Sequence, residues 1–125
     1  MLNDQLFNIR SFNPGDQGDC LTASVVLNPG HPLFEGHFPG NPILPGVCTL
    51  QIAKELLEKL LGREIMLKKA LNIKYLGFIN PLTQPEMLFT ITLTHGTEST
   101  IPFSATVSAE GNAVCSFRGE YGEPL

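Results

Sequence analysis

The spacing of apolar residues changes twice along this chain and predicts one helix between two sets of strands. From residue 47 to residue 61 apolar side chains recur every three or four positions, the period of a helix with a buried face. Gly62 follows and predicts the end of this helix, because glycine readily adopts the left-handed conformation. The expected buried stripe is Val47, Leu50, Ile52, Ala53 (or Lys54), Leu56, Leu57 and Leu60 or Leu61. A stripe this wide predicts a helix that is buried along most of its length.

Two segments before the helix have the composition of strands. Residues 4–11 alternate loosely, with Leu6 or Phe7 expected to face inward, and residues 20–27 are rich in β-branched and small apolar side chains. Asn13 to Asp16 lie between them, and their composition predicts a turn.

Four further segments with strand character follow the helix, at roughly residues 65–78, 86–94, 101–109 and 113–119. Asn80-Pro81, His95-Gly96 and Glu110-Gly111-Asn112 separate them, and the last of these predicts the tip of a hairpin. Two strands, a long helix and four strands predict an α+β fold in which a curved antiparallel sheet wraps around the helix.

Composition and charge exclude several classes of protein. A chain of 125 residues fits a single domain, which we place at residues 1–125. No apolar run reaches the ~18 residues of a membrane span, and the first residues lack the order of a signal peptide, so we expect a cytoplasmic protein without membrane contact. A net charge of −4 argues against nucleic acid. Three widely spaced cysteines fit reduced thiols, and no metal-ligand spacing is present.

The basic residues are concentrated in one part of the chain. Six of the eight lie between Lys54 and Lys74. They could form a solvated helix face with partners four residues away, such as Glu55 with Lys59. They could instead form a patch for an acidic partner, and the sequence leaves both interpretations open.

The segment that precedes the helix is unusually stiff. Residues 30–46 contain four of the ten prolines and four of the twelve glycines, which restrict the backbone and allow it to turn sharply. His37 lies in this loop, within Gly-His-Phe-Pro-Gly, and Pro45-Gly46 leads into the helix. An imidazole near a helix N-terminus offers a base near neutral pH beside a positive dipole end, which suits chemistry on a carbonyl compound. The alternative is an imidazole that only holds the loop together.

The phrase HPLFEGHFPGNPILPGV, taken with the order of elements, resembles the hotdog-fold β-hydroxyacyl-acyl carrier protein dehydratases of the FabA/FabZ type. The resemblance is densest over residues 31–51 and continues more weakly through ALNIKYLGFINPLTQPEMLFTITL. It implies a hotdog fold of five to six strands around one long central helix. The expected reaction is loss of water from a 3-hydroxyacyl thioester, giving a trans-2-enoyl thioester without a cofactor. The thioester would be carried by acyl carrier protein or coenzyme A.

The resemblance also implies roles for individual residues. His37 matches the catalytic histidine that removes the C2 proton, and Gly46 and Val47 match the helix start whose N–H groups hold the thioester carbonyl. Substrate would lie against residues of the loop and helix start, namely Phe38, Pro39, Gly40, Pro45 and Val47. The family is dimeric, so we expect a homodimer in which sheets join edge to edge, with a catalytic acid supplied by the partner subunit's helix.

The chain departs from this family at the position of that acid. Fourteen residues after the histidine the family has Glu or Asp, and this chain has Gln51. An amide can donate a hydrogen bond to a hydroxyl but cannot give up a proton at neutral pH. Glu55, one helical turn later, and Glu35, on the loop, are the candidate replacements. His37 could also serve as both base and acid, or the activity could be weak or lost.

Two other functions remain open at this point. One is hydrolysis of acyl thioesters on the same fold, for which Gln51 again supplies no carboxylate. The other is a subunit that binds acyl chains or the carrier without catalysis.

Several other side chains have a structural and a functional interpretation. His31 and His95 are expected at the surface, and Cys48 is expected to be a small buried residue, although a helix N-terminus could activate its thiol. Phe34, Phe38, Leu44, Phe78 and Phe89 could line an acyl tunnel or belong to the core.

Overall fold

A computed structural model of the chain describes residues 6–35, 42–97 and 99–124. The described elements are six strands, one α-helix and a 3₁₀ turn at Pro32–Phe34. Strands β1 (Phe7–Pro14) and β2 (Cys20–Leu27) precede helix α1 (Gly46–Leu61). Strands β3 (Met66–Tyr75), β4 (Glu86–Leu93), β5 (Ile101–Ala109) and β6 (Asn112–Gly122) follow it.

The strands form one antiparallel sheet in the order β1-β2-β4-β5-β6-β3. Glu110 and Gly111, both with positive φ, form the tip that joins β5 to β6, as the turn composition predicts. The burial of β4 alternates strictly from Glu86 to Thr92, so one face of the sheet lies on the core and the other is wet. One helix against a six-stranded antiparallel sheet is the hotdog fold, and the predicted fold class is confirmed.

The core lies between the helix and the concave face of the sheet. The helix contributes Ile52, Ala53, Leu56 and Leu57, and the sheet contributes side chains such as Phe89. The helix ends where glycine was expected to end it, because Gly62 adopts a left-handed conformation and its N–H donates to the Glu58 carbonyl.

Several boundaries differ from the expected ones. The first strand runs to Pro14, so the turn begins at Gly15 and not at Asn13. Strand β3 stops at Tyr75, short of residue 78, because the chain then leaves the sheet toward the start of the helix. The predicted buried stripe is wrong at its first residue, since Val47 is 69% exposed. Thr49 and Glu55 are buried, which the apolar period did not indicate.

Strand β3 forms one edge of the sheet, and all ten of its residues are exposed. Its apolar side chains include Met66, Leu67, Leu71, Ile73 and Tyr75. An edge strand that is both apolar and open is unusual, because it offers unpaired backbone groups and apolar surface to another chain. This edge adjoins the start of the helix.

Candidate active site

A largely apolar cavity of about 340 Å³ opens at the start of the helix. One side is the segment from Ile43 to Val47, and the other is the end of β3 and the residues after it. The two sides are tied together by the Leu44 N–H, which donates to the Ile79 carbonyl at 2.9 Å. Val114 and Cys115 of β6 also line the cavity. The cavity has the size and lining of a small-molecule site.

Gly46 and Tyr75 are in close contact at this cavity. A Cβ added to Gly46 would lie 2.6 Å from two ring carbons of Tyr75 and 2.9 Å from its Oη. No residue with a side chain fits at position 46 while the ring stays in place. Glycine thus leaves room for the ring in its present position, and its φ is not in the left-handed region.

The helix begins without a side-chain cap. Pro45 occupies the N-cap position in an extended conformation, and the first turn of the helix contains no acidic residue. The N-terminal amides thus present a positive dipole end to the cavity, which suits a carbonyl oxygen that gains negative charge. Val47 and Phe78 lie exposed at the cavity mouth.

The titratable groups of the cavity remain protonated at neutral pH. Burial raises the pKa of the Cys115 thiol to about 11. Burial, and then the Coulomb effect of Cys115, raises the pKa of the Tyr75 phenol. Burial also raises the pKa of Cys48. Cys48 is thus not an activated thiolate, and it is half-buried where full burial was expected. Tyr75 can serve as a neutral hydrogen-bond donor.

A second cavity, of about 390 Å³, lies farther along the helix, beside the start of β3. Gln51 and Glu55 line it together with Met66 and Leu67. The Gln51 Nε2 donates to the Glu55 Oε2 at 3.1 Å, and Glu55 is only 8% exposed. The residue at the family's acid position thus contacts a buried carboxyl group one turn away.

Part of the predicted site falls outside the described residues. This applies to His37, Phe38, Pro39 and Gly40. The structure does bring Pro45, Gly46 and Val47 to one cavity, whereas Gln51 lines the second. Glu35 is exposed at the end of the 3₁₀ turn.

The candidate tunnel residues divide into two groups. Leu44 and Phe78 line the first cavity. Phe34 and Phe89 are buried in the hydrophobic core, and Phe38 lies outside the described residues.

Two histidines in the described ranges have no place in the cavity. His31 is half-buried and its Nδ1 accepts the Leu33 N–H at 2.9 Å, so it caps the 3₁₀ turn and is not a simple surface residue. His95 is exposed at its turn, as expected. Within the described ranges, no cluster of His, Cys, Asp or Glu could hold a metal ion. None of the helices described is long and apolar enough to cross a membrane.

The basic residues of the helix take part in local contacts. Lys54 pairs with Glu58 at 3.6 Å, and the Lys59 ammonium lies 5.4 Å from the centre of the Phe12 ring. On β3, Lys68, Lys69 and Lys74 are exposed. The contacts of Lys54 and Lys59 fit a solvated helix face, and the exposed lysines of β3 fit a patch for an acidic partner. Both interpretations of the basic segment therefore stay open.

Sequence reasoning missed Tyr75 and Cys115 as cavity residues. Tyr75 pairs with Cys115 across β3 and β6, and this pairing places both beside the helix start. Tyr75 lies within the weaker stretch of the family resemblance, which gave it no role, and Cys115 lies outside the stretches that carry the resemblance.

Comparison with known proteins agrees with this architecture. The family model described as "ApeI-like: ApeI dehydratase" matches residues 13–118. A 3-hydroxyacyl-[acyl-carrier-protein] dehydratase FabZ from Rickettsia massiliae is 29% identical over 104 residues, which are 77% of this chain and 70% of the relative. The FabZ of Levilactobacillus brevis is 42% identical over 43 residues, or 34% of this chain. That match spans only 27% of the relative's length.

Two solved structures share the fold. The dehydratase heterocomplex ApeI:P from Xenorhabdus doucetiae superposes with a TM-score of 0.77 at 16% identity, covering 93% of this chain and 97% of the other. A mutant thioesterase from Pseudomonas aeruginosa gives a TM-score of 0.64 at 18% identity, covering 91% and 81%. At these identities the two likenesses concern the fold alone. The family match covers most of the chain, and the protein therefore belongs to the ApeI-like dehydratase family, a FabA/FabZ-like group with the hotdog fold.

Proposed function

We propose that this protein eliminates water from a 3-hydroxyacyl thioester and releases a trans-2-enoyl thioester. The single observation that carries the proposal is the apolar cavity at the uncapped helix start, where Gly46 leaves room for the Tyr75 ring. Membership of a dehydratase family supports the reaction class. No cofactor is required, because the elimination moves only protons and an electron pair.

In this mechanism the imidazole of His37 takes the C2 proton of the substrate. The electron pair of the C2–H bond shifts toward the thioester carbonyl, whose oxygen gains negative charge. Amides at Gly46 and Val47 stabilise that oxygen, and the loss of one such donor costs about 3–4 kcal/mol in comparable sites. The C3–O bond then breaks, and the departing hydroxyl leaves as water once it has received a proton. Phe38, Pro39, Gly40, Pro45 and Val47 would contact the substrate.

The functional unit in this proposal is a homodimer joined along β3. This strand is an exposed edge, and Leu71 at its middle is 51% exposed. Pairing two copies of β3 would satisfy the open backbone groups and cover the apolar side chains. Val47 and Phe78 at the cavity mouth would lie near the same boundary. The X. doucetiae structure is a dehydratase heterocomplex, so a protein of this fold assembles with a further chain there.

The acyl group would reach the site on acyl carrier protein or on coenzyme A. Exposed lysines of β3, namely Lys68, Lys69 and Lys74, supply positive charge beside the proposed boundary. Both carriers are anionic, and such charge favours their encounter. Comparing the two carriers as substrates separates the possibilities.

The direct test is to follow the conversion of 3-hydroxyacyl thioesters to enoyl thioesters by wild type and His37→Ala. General-base catalysis contributes about 10²–10⁴ in rate, so the variant should lose at least 100-fold. His95→Ala is the matched control, because His95 is exposed at a turn away from both cavities, and it should keep full activity. Equal rates in wild type and His37→Ala would reject the assignment. Release of free thiol by the wild type would indicate a thioesterase instead.

A further inference from the structure

The hydroxyl of Tyr75 is available to a ligand in the cavity at the helix start. Tyr75 is the last residue of β3, lines this cavity and is 53% exposed. None of the hydrogen bonds within the described ranges uses its hydroxyl. A phenol that lines a largely apolar cavity without a partner can bond to a molecule that enters the cavity.

The contact with Gly46 places this hydroxyl beside the first amides of the helix. The Oη lies 2.9 Å from the position that a Cβ of Gly46 would occupy. In an α-helix the Cα–Cβ bond tilts toward the N-terminus, which is also the end toward which the N–H groups point. The amides of Gly46 and Val47 belong to the first turn and have no acceptor within the helix. An oxygen atom that accepts from them would therefore have the phenol beside it.

Thr49 and Cys115 also bring polar atoms to this cavity, but they are placed less well for the same task. Thr49 is 4% exposed and lies three residues beyond Gly46, about 4.5 Å farther along the helix axis. The Cys115 thiol is buried on β6 and is a weak hydrogen-bond donor. Burial raises the pKa of the Tyr75 phenol, so its hydroxyl keeps the proton at neutral pH and can donate a hydrogen bond.

From this geometry we propose that the Tyr75 hydroxyl donates a hydrogen bond to the thioester carbonyl oxygen and stabilises the negative charge that this oxygen gains. The inference rests on the proposed dehydratase function and adds a side-chain donor to the amides of Gly46 and Val47. Because the cavity is largely apolar, a hydrogen bond to a charged oxygen is stronger there than in water.

Tyr75 keeps its own proton throughout the reaction. His37 takes the C2 proton, and the C2–H electron pair moves toward the carbonyl oxygen, where the phenol and the amides bind the charge. That pair then forms the C2=C3 bond while the C3–O bond breaks. The electron pair of the broken bond leaves with the oxygen, which departs as water after it gains a proton.

Tyr75→Phe removes the hydroxyl and keeps the ring against Gly46, so this variant should melt at the wild-type temperature. The substrate is a 3-hydroxyacyl N-acetylcysteamine thioester. On it the variant's kcat should fall about 10- to 100-fold, with KM changed by less than about threefold. Tyr121→Phe is the matched control, because Tyr121 is buried in the core, stacks on Phe103 and lines neither cavity. This control should keep the wild-type kcat.

A 3-chloroacyl thioester shows which oxygen of the substrate the phenol contacts. Chloride leaves with the C3–Cl electron pair and needs no proton, whereas the carbonyl oxygen gains charge as it does with the hydroxy substrate. With the spontaneous elimination subtracted, Tyr75→Phe should lose about 10- to 100-fold on this substrate as well. A loss confined to the hydroxy substrate would mean that the phenol bonds to the departing hydroxyl, and it would overturn the inference.

The outcomes separate this inference from the proposed function. A wild type inactive on both substrates would reject the dehydratase assignment itself. With an active wild type, the inference is wrong if Tyr75→Phe keeps the wild-type kcat or changes KM alone, because the bond would then not strengthen as charge develops. It is also wrong if Tyr75→Phe melts at a clearly lower temperature, since the hydroxyl would then serve the fold.

Discussion

The ring of Tyr75 lies where a side chain of residue 46 would project, with its Cε1 and Cζ atoms 2.6 Å from the position of that Cβ. The position of the Tyr75 ring at the end of β3 therefore depends on which residue stands at position 46. Gly46→Ala should displace the ring, since the contact involves the far end of an exposed side chain rather than backbone. We expect unfolding stability within about 1 kcal/mol of wild type, because alanine favours helix, together with at least a tenfold loss of dehydration.

The double variant Gly46→Ala/Tyr75→Ala is the matched control for this prediction. Removing the ring relieves the steric conflict, so the double variant should be more active than Gly46→Ala if the displaced ring blocks the cavity. Thermal melts and steady-state rates of the three proteins decide this. A large drop in melting temperature for Gly46→Ala alone would show that the contact serves the fold.

The exposed face of β3 makes a prediction about assembly. Wild type should elute with twice the 13.6 kDa mass of one chain, and Leu71→Asp should be a monomer because it places a charge in the middle of the proposed boundary. Leu82→Asp is the control, since Leu82 is also exposed but lies in a turn outside β3. Light scattering coupled to size exclusion measures all three. A monomeric wild type would contradict the proposed edge-to-edge dimer.

The raised pKa of the Cys115 thiol predicts how the unfolding stability changes at alkaline pH. Burial raises its pKa from 9.0 to about 11, so the folded state keeps the proton over a range where the unfolded state loses it. Unfolding stability should thus be unaffected by this group below pH 9 and should fall between about pH 9 and pH 11. Cys115→Ala should show a shallower decline in urea titrations over this range. Parallel declines for both proteins would contradict the assignment.

Gln51 stands where the family has its catalytic acid, and replacing it with Glu tests whether an acid is missing. If another group already donates the proton, Gln51→Glu should raise the rate of dehydration by less than about threefold. A gain near 100-fold would show instead that wild type lacks an acid and that restoring the family's residue supplies it. Gln51→Asn keeps an amide of shorter reach and serves as the control for any loss of the bond to Glu55.

Local patterns predicted much of this fold because each depends on a few neighbouring residues. Gly62 and the Glu110-Gly111 tip adopt the backbone conformations that their composition predicts, and the alternation around Ile91 matches the burial of β4. Val47 was misplaced because helical period cannot tell which first-turn residue faces the sheet and which faces a cavity mouth.

The candidate site was less predictable because it depends on contacts between distant residues. Tyr75 reaches Gly46 through the pairing of β3 with β6, and no local pattern records that pairing. The apolar residues of β3, such as Leu71, have the same pattern as core residues although they are exposed. An apolar pattern alone therefore does not distinguish core residues from apolar residues that are exposed in one chain.

The position at which ¹⁸O from labelled water enters the product tests the proposed dehydratase reaction most directly. A trans-2-enoyl thioester is incubated with the wild-type protein in ¹⁸O-labelled water, and the products are analysed by mass spectrometry. Because elimination is reversible, a dehydratase should place one ¹⁸O on the C3 hydroxyl of an intact 3-hydroxyacyl thioester, and His37→Ala should not. Label found instead in a free carboxylic acid, with release of the thiol, would contradict the account.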